Sequence, residues 1–500
     1  MITATQKTGA RQSSSRGFSN PRQHLMVQAI RIALALGATA AVLPAHAASF
    51  TCPVSSDQTI GTALTNSATC DVQNHNIAIS SSGSLNNLPR GSFSNLGNLT
   101  NAGSLYLSGL YGTGPTLTIL SKTTLTNTST GQLSNVGTLY NYSGGTLSNE
   151  GTLNNNYGGT LSNSGTLNNV GTLFNAGTLN NQTNGTLSNV GTLNNFSGTL
   201  SNSGMLNNNS GGTLNNISGT LSNSGMLNNN SGGTLNNNNY GTLTNYVTLN
   251  NNSGGTLNNY SGSWLNNNHG STLNNNFGSL LMNYGNFSNA GALNVTGGVY
   301  GSGAYVQTVG GTTTVSGSMS QATIDIKAGT LQGAGTISTT QGMKIEAGAI
   351  ISPGNQPNTT GTLNVTGGLQ VNGELSMLVN GTSAGQYDVL KVNGNVGFGS
   401  GSLLSVNFSP FAYSAGTIWD LLLSTSFSGL GNETVNVTGL QPNSYSVKWV
   451  KIASGLDAFE LMVTTPFTPV VTTPIPAAFW LAFSGIAMLG LFVKRGGGEA

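Results

Sequence analysis

Charge is what this sequence has least of. Asp, Glu, Lys and Arg together make up 5% of its 500 residues, where soluble domains carry about a quarter. That argues against an ordinary cytosolic enzyme. With 37% hydrophobic residues it also argues against disorder of the high-charge, low-hydropathy kind. Between Lys122 and Asp325 the one charged residue is Glu150, so about 200 residues offer no acid–base pair, and glycoside hydrolysis normally needs two carboxyl groups at a set separation. The cations are badly placed for nucleic acid. Lys7, Arg11, Arg16, Arg22, Arg31, Lys494 and Arg495 are half of the 14 Lys and Arg and sit at the two ends. The body between them is mildly acidic and has no basic patch to neutralise phosphates.

Metal and cofactor signatures are missing as well. His24, His46, His75 and His269 have no partner at metal-ligand spacing, periodic Asp of the calcium-repeat kind is absent, and no Gly-rich segment carries the Lys-Ser/Thr of a phosphate loop. No catalytic residue and no cofactor is assigned. The distal carboxylates Asp325, Glu346, Glu374, Asp388 and Asp420 are scattered. They read as solubilising groups, with Asp388 and Lys391 as an exposed pair. The alternative is a polysaccharide-active enzyme with a site within 320–460.

Cysteine is nearly absent too. Cys52 and Cys70 are the two there are. Both follow a basic stretch, the apolar run 33–43, Pro44 and the small-x-small pattern Ala45-His46-Ala47, which reads as a secretory signal cleaved after Ala47 or Ala48. An oxidising destination makes a disulfide between them the default, a staple on an N-terminal cap.

What is abundant is Gly, at 72 residues, with Asn, Thr and Leu, arranged as a repeat. Gly-Thr-Leu-x-Asn recurs, and Leu133, Leu153, Leu173 and Leu193 fall at equal steps of 20, drifting to about 21 by Leu214 and Leu235. Such a period suits a coil of three short strands with one Leu each. In Thr146-Leu147-Ser148-Asn149 the two-residue alternation of a strand sends Leu and Asn inward and Thr and Ser outward. The 46 Asn between Asn135 and Asn294 suffice for stacked amide ladders at several corners. One coil cannot offset its own ordering cost, so stability must come from stacking. Frequent Gly and runs of Asn oppose helix. The fold expected is an all-β parallel β-solenoid of about 18–20 coils, followed by a C-terminal transmembrane helix. Tyr157, Phe174, Phe196, Tyr240, Tyr246, Tyr260, Trp264, Phe277 and Tyr284 interleave with the Asn, either as glycan-stacking platforms or as large residues in corners and core.

Two resemblances follow from particular residues. Pro474-Ile475-Pro476-Ala477-Ala478-Phe479-Trp480-Leu481, the apolar run to 493 and the pair Lys494-Arg495 resemble a PEP-CTERM sorting tail. Thr473, Ile475 and the final Gly-Gly-Gly-Glu-Ala depart from the family pattern. The resemblance implies export in a Gram-negative, exopolysaccharide-making cell, recognition by an exosortase-like membrane enzyme, and a membrane segment flanked by Trp480 and by Lys494 and Arg495. A plain single-span anchor is the alternative. Beyond Gly297, segments such as Gly361-Thr362-Leu363-Asn364-Val365 resemble autotransporter passenger regions, and the middle repeats resemble filamentous-haemagglutinin-type β-helices. No alternating-strand barrel region follows residue 465.

The organisation expected is therefore a signal peptide over 1–47, a disulfide-bearing cap with first coils over 48–120, an Asn/Gly/Thr/Leu solenoid over 121–296, a passenger-like β-helix and cap over 297–465, a Pro/Thr linker and sorting motif over 466–476, and a membrane segment with basic tail over 477–500. The function expected is an exported adhesin or structural protein of the cell surface or exopolysaccharide matrix, with glycans as partners and no nucleic acid.

Overall fold

The computed structural model describes residues 48–467 except 95–96, 109–113 and 356–358. The chain winds into a parallel β-solenoid with three strands per coil. In one coil these are Thr146–Asn149, Thr152–Asn155 and Thr160–Asn163. The next coil repeats them as Thr166–Asn169, Thr172–Asn175 and Thr178–Asn181. Each strand pairs only with its counterparts one coil before and after, with Leu147 over Leu167, Leu153 over Leu173 and Leu161 over Leu179. Among the described residues the first face stacks 18 strands. At ~4.8 Å per strand the rod is about 80 Å long.

Burial follows the alternation predicted from the sequence: most repeat strands read half-exposed, buried, half-exposed, buried. Leu and Asn fill the inside of each strand; Leu193 and Asn195, for instance, are both 0% exposed. Most corners are of two kinds. The short ones, such as Glu150-Gly151, bring Gly against the corner of the preceding coil. A Cβ at Gly151 would lie 2.3 Å from the Gly131 carbonyl oxygen, so no other residue fits. Longer corners, such as 156–159, place Gly158 at φ 84°, a left-handed conformation that other residues resist.

Among the described residues, the inward Asn side chains from Asn101 onward form three ladders, and Asn66 and Asn87 form a short separate pair before them. On the second face, Asn135 donates to the Asn155 Oδ1, Asn155 to Asn175 and Asn175 to Asn195, each at 2.7 Å, and Asn195 to Asn216 at 2.8 Å. Each Nδ2 also reaches a backbone oxygen of the coil beyond, as Asn135 does to Thr160 at 2.9 Å. A carboxamide is one donor and one acceptor group on a short stem, so it can pass this bond from coil to coil while holding its corner shut. All three interior ladders donate toward the C-terminus. Their first members show it: the Oδ1 atoms of Asn101, Asn135 and Asn141 are buried with no hydrogen-bond partner. The preceding register positions hold Ile79, Leu107 and Ile119, which have no amide to offer. On the outer surface the ladders run the other way. Asn215 donates back to Asn194, Asn236 to Asn215 and Asn258 to Asn236, each at 2.8 Å. The two sets of amide dipoles therefore oppose each other.

Beyond Val295, which stands over Asn275, the interior turns aliphatic, and the Asn ladders end. Asn283 reaches over the next coil to the Gln321 Oε1 at 2.6 Å. Tyr305 is wholly buried, its hydroxyl bonded to that of Thr313. The solenoid then closes. Val389–Phe398 spans two faces, pairing with both Thr362–Thr366 and Leu369–Val371. Ile418–Ser428 lies parallel to it but takes Asp457–Val463 in antiparallel fashion on its other side, and Tyr445–Lys451 finishes the sheet. This antiparallel end, with Trp419 and Phe459 buried in it, covers the parallel edge of Ile418–Ser428 that would otherwise template further pairing; the first face ends on Thr434–Thr438, paired with Leu403–Phe408.

Candidate functional site

A rod whose interior is satisfied by Leu and Asn can act through its outer rows, its corners and its ends. At the N-terminal end Cys52 and Cys70 are joined, 18 residues apart in sequence. The disulfide ties the lead-in segment to the third strand of the first coil, Thr69–Asp71. The described residues begin at 48, so Ala45 and Ala47 of the cleavage pattern lie outside them. So do Pro474, Ile475, Pro476, Ala477, Trp480, Lys494 and Arg495 of the sorting tail, and the membrane helix expected there. Among the described residues no helix is long and apolar enough to cross a membrane.

The outward rows of the repeat region are mostly Thr, Ser and Asn, with Met205, Met226 and Leu280 among the exposed exceptions, and the one charged residue of the region, Glu150, stands at a corner. The aromatic residues singled out from the sequence all lie outside the core, most of them at corners. Phe277 is 82% exposed and Tyr157 72%. Three line one edge. Tyr240, Tyr260 and Tyr284 occupy the corner between second and third strands on three successive coils, and Trp264 opens the third strand beside them. Gly262 makes room: a Cβ there would meet the Tyr240 ring at 2.8 Å. A further pair, Tyr140 and Tyr142, went unnoticed in the sequence because neither sits in an Asn run. Their rings stack with centroids 5.7 Å apart and planes 19° from parallel, above a shallow hollow lined by Ser162, Ser164 and Gln182. Exposed rings flanked by hydroxyls and amides offer an apolar face with hydrogen-bonding groups at its rim.

The carboxylates behave differently from one another. The expected Asp388–Lys391 surface pair is corrected: Asp388 is 0% exposed and accepts backbone N–H bonds from Gly361 and Leu378, both at 2.8 Å. It fixes the crossing of two chain segments, a role set by tertiary contacts and invisible in its neighbours along the chain. Glu346 accepts from the Asn372 amide at 3.0 Å. In the antiparallel end, Asp420 and Lys448 flank Glu460 across adjacent strands. Partial burial, and then the Asp420 charge, push the Glu460 carboxyl above its ordinary pKa, against the opposing pull of Lys448. Asp57, beside His75 at 3.5 Å, is held below its ordinary value, chiefly by the Asn76 backbone N–H. Among the described residues no cluster of three or more His, Cys, Asp or Glu has the geometry for a metal ion.

No family model matches the chain and no curated protein matches it. Among solved structures it aligns with a crystal structure of a TibC-catalysed, hyper-glycosylated TibA fragment. The identity is 16%, the alignment covers 77% of this chain and 96% of that one, and the TM-score is 0.21. A superposition of that quality assigns nothing to this chain. The β-solenoid stands on its own strand pairing.

Proposed function

We propose that this protein is an exported, non-enzymatic β-solenoid that acts at the cell surface or in the surrounding exopolysaccharide matrix as an adhesin or structural rod. The observation that carries this reading is the outer surface of the repeat region: long uncharged rows, mostly Thr, Ser and Asn, edged by exposed Tyr and Trp, on a core of Leu and Asn closed to solvent. Many shallow hydrogen bonds and ring contacts repeated along a stiff rod give avidity without any single strong site. The secretory pattern ending at Ala45-His46-Ala47 and the Cys52–Cys70 disulfide support an oxidising destination. The tail from Pro474 to Arg495 supports processing by an exosortase-like enzyme, with the membrane segment holding the protein only until then.

An internally tagged protein, with and without residues 474–500, tests the reading. Intact protein reaching the surface or matrix, shortened at Pro474-Ile475-Pro476-Ala477, is the expected result. Full-length protein retained in the inner membrane would refute the sorting step. Failure of the purified rod to hold cells or matrix polysaccharide would refute the adhesive role.

A further inference from the structure

The third face carries an outward row that opens almost every strand with a side chain: Thr199, Thr220, Thr242, Trp264, Asn286 and Ala304 on successive coils. Thr323 continues it. The row then stops. In the places just before Met343 and Leu369 the chain has Gly342 and Gly368, and a Cβ on Gly368 would meet nothing within 4 Å. The missing side chains leave an open groove of about 460 Å³ along the rod axis. Its floor is bare backbone. One wall is the neighbouring outward row, in which Asp325, Lys344 and Gln370 stand on successive coils, and Gln341 adds a further amide to the lining.

Asp325 is the telling residue. Its Oδ1 is buried with no hydrogen-bond partner, and its Oδ2 lies 3.9 Å from Lys327, too far for a hydrogen bond. Lys344, its register neighbour, is exposed and makes no ion pair with it among the described residues. The side chain as a whole is 29% exposed and lines the groove, so with Oδ1 shut away it is Oδ2, which lacks a close donor, that a ligand lying there can reach.

We propose that this groove binds a linear glycan segment lying along the rod. Sugar hydroxyls donate to Asp325 and accept from Lys344 and Gln341, and a ring lies flat over Gly342 and Gly368. A peptide strand is a poor fit, because the strands of this face are already paired on both sides and offer no free backbone edge. Single-stranded nucleic acid is a poorer one: the one cation lining the groove, Lys344, stands next to a carboxylate in the same wall, and no aromatic ring lines the groove for base stacking. The proposal deepens the adhesin reading by giving the rod a discrete glycan site. It is separable from that reading, since surface display and sorting do not depend on the groove.

The test is capture of the purified full-length protein on an array of linear neutral, uronic-acid and amino-sugar oligosaccharides, followed by titration with a glycan that responds. Gly368→Leu fills the groove where nothing else stands and is expected to weaken binding at least tenfold with an unchanged β-sheet circular dichroism spectrum. Asp325→Asn alters charge and not volume and is expected to cost about tenfold, the worth of one charge-assisted hydrogen bond. Should Gly368→Leu misfold, Asp325→Asn decides alone. Capture of no glycan, or equal capture by Asp325→Asn and wild type, overturns the groove. If equal capture is accompanied by normal surface display, the groove fails while the adhesin reading stands.

Discussion

Replacing Asn195 by Asp tests the interior ladder most directly, because it changes one atom group and almost no volume. Asn195 is fully buried. It accepts from Asn175 at 2.7 Å and donates to Asn216 at 2.8 Å, Gly198 at 3.0 Å and Thr220 at 2.9 Å. An aspartate keeps the acceptor side and loses every donor. Its second oxygen then faces three oxygens in a site with no counter-ion. The two N–H protons shared among those three acceptors are lost at about 1 kcal/mol each, and with several kcal/mol more for a buried unpaired carboxylate this predicts destabilisation of at least ~4 kcal/mol at pH 7. Protonation relieves part of it, since the charge is gone and the single acid hydroxyl donates to one of the acceptors the amide served. The folded pKa is therefore raised above the unfolded value of about 3.9. The penalty is smallest below about pH 3.9, grows by about 1.4 kcal/mol per pH unit above it, and levels off beyond the folded pKa. Coils of a solenoid open locally, so the assay is hydrogen exchange by mass spectrometry over Thr192–Phe196 and Thr213–Ile217, with variant and wild type compared at each pH. Asn194→Asp is the control. Asn194 is half-exposed and only accepts, from Asn215, so its aspartate should be nearly silent. Unchanged exchange in Asn195→Asp at pH 7, or equal damage from Asn194→Asp, would refute the ladder as a source of stability.

Leu193→Ala, at a wholly buried position, should cost about 3 kcal/mol, with faster exchange confined to its own and adjacent coils. Phe277→Ser, at the most exposed of these rings, should leave thermal melting unchanged. Replacing Cys52 and Cys70 by Ser together should destabilise the N-terminal cap by about 3 kcal/mol, seen as new protease cleavage before Ile77 with the later coils intact. Glu460 titrates above its ordinary pKa in the folded chain, so it favours the folded end below about pH 4.5, and that contribution is lost as pH rises through the folded value. Glu460→Gln should therefore flatten the pH dependence of proteolysis in the 418–463 sheet and protect it most at neutral pH.

Much of the repeat was legible because its two periods are both written in residue types. The two-residue alternation assigns Leu147 and Asn149 inward and Thr146 and Ser148 outward, and the 20-residue step stacks Leu133 on Leu153 and Leu153 on Leu173. Each short strand has one partner position per coil, so local pattern and long-range pairing give the same answer. The closing sheet was legible only as a cap somewhere within 297–465. Its antiparallel pairing depends on which strand meets Ile418–Ser428, and no repeat dictates that. Asp388 was misread for a related reason. Beside Lys391 it looks like a surface charge, but the N–H groups it accepts from belong to residues 10 and 27 positions away.

The sequence by itself thus determined the coil, its inside and outside, its Gly corners and the presence of amide columns, since these follow from sterics and burial repeated every coil. The tertiary structure alone decided the direction in which each Asn ladder donates, because a carboxamide can point either way until its neighbours are stacked. It also decided where the outer row falls away over Gly342 and Gly368 beside Asp325. That depends on the register between coils of unequal length, 18 residues in one place and 24 in another, which no single coil of the sequence contains.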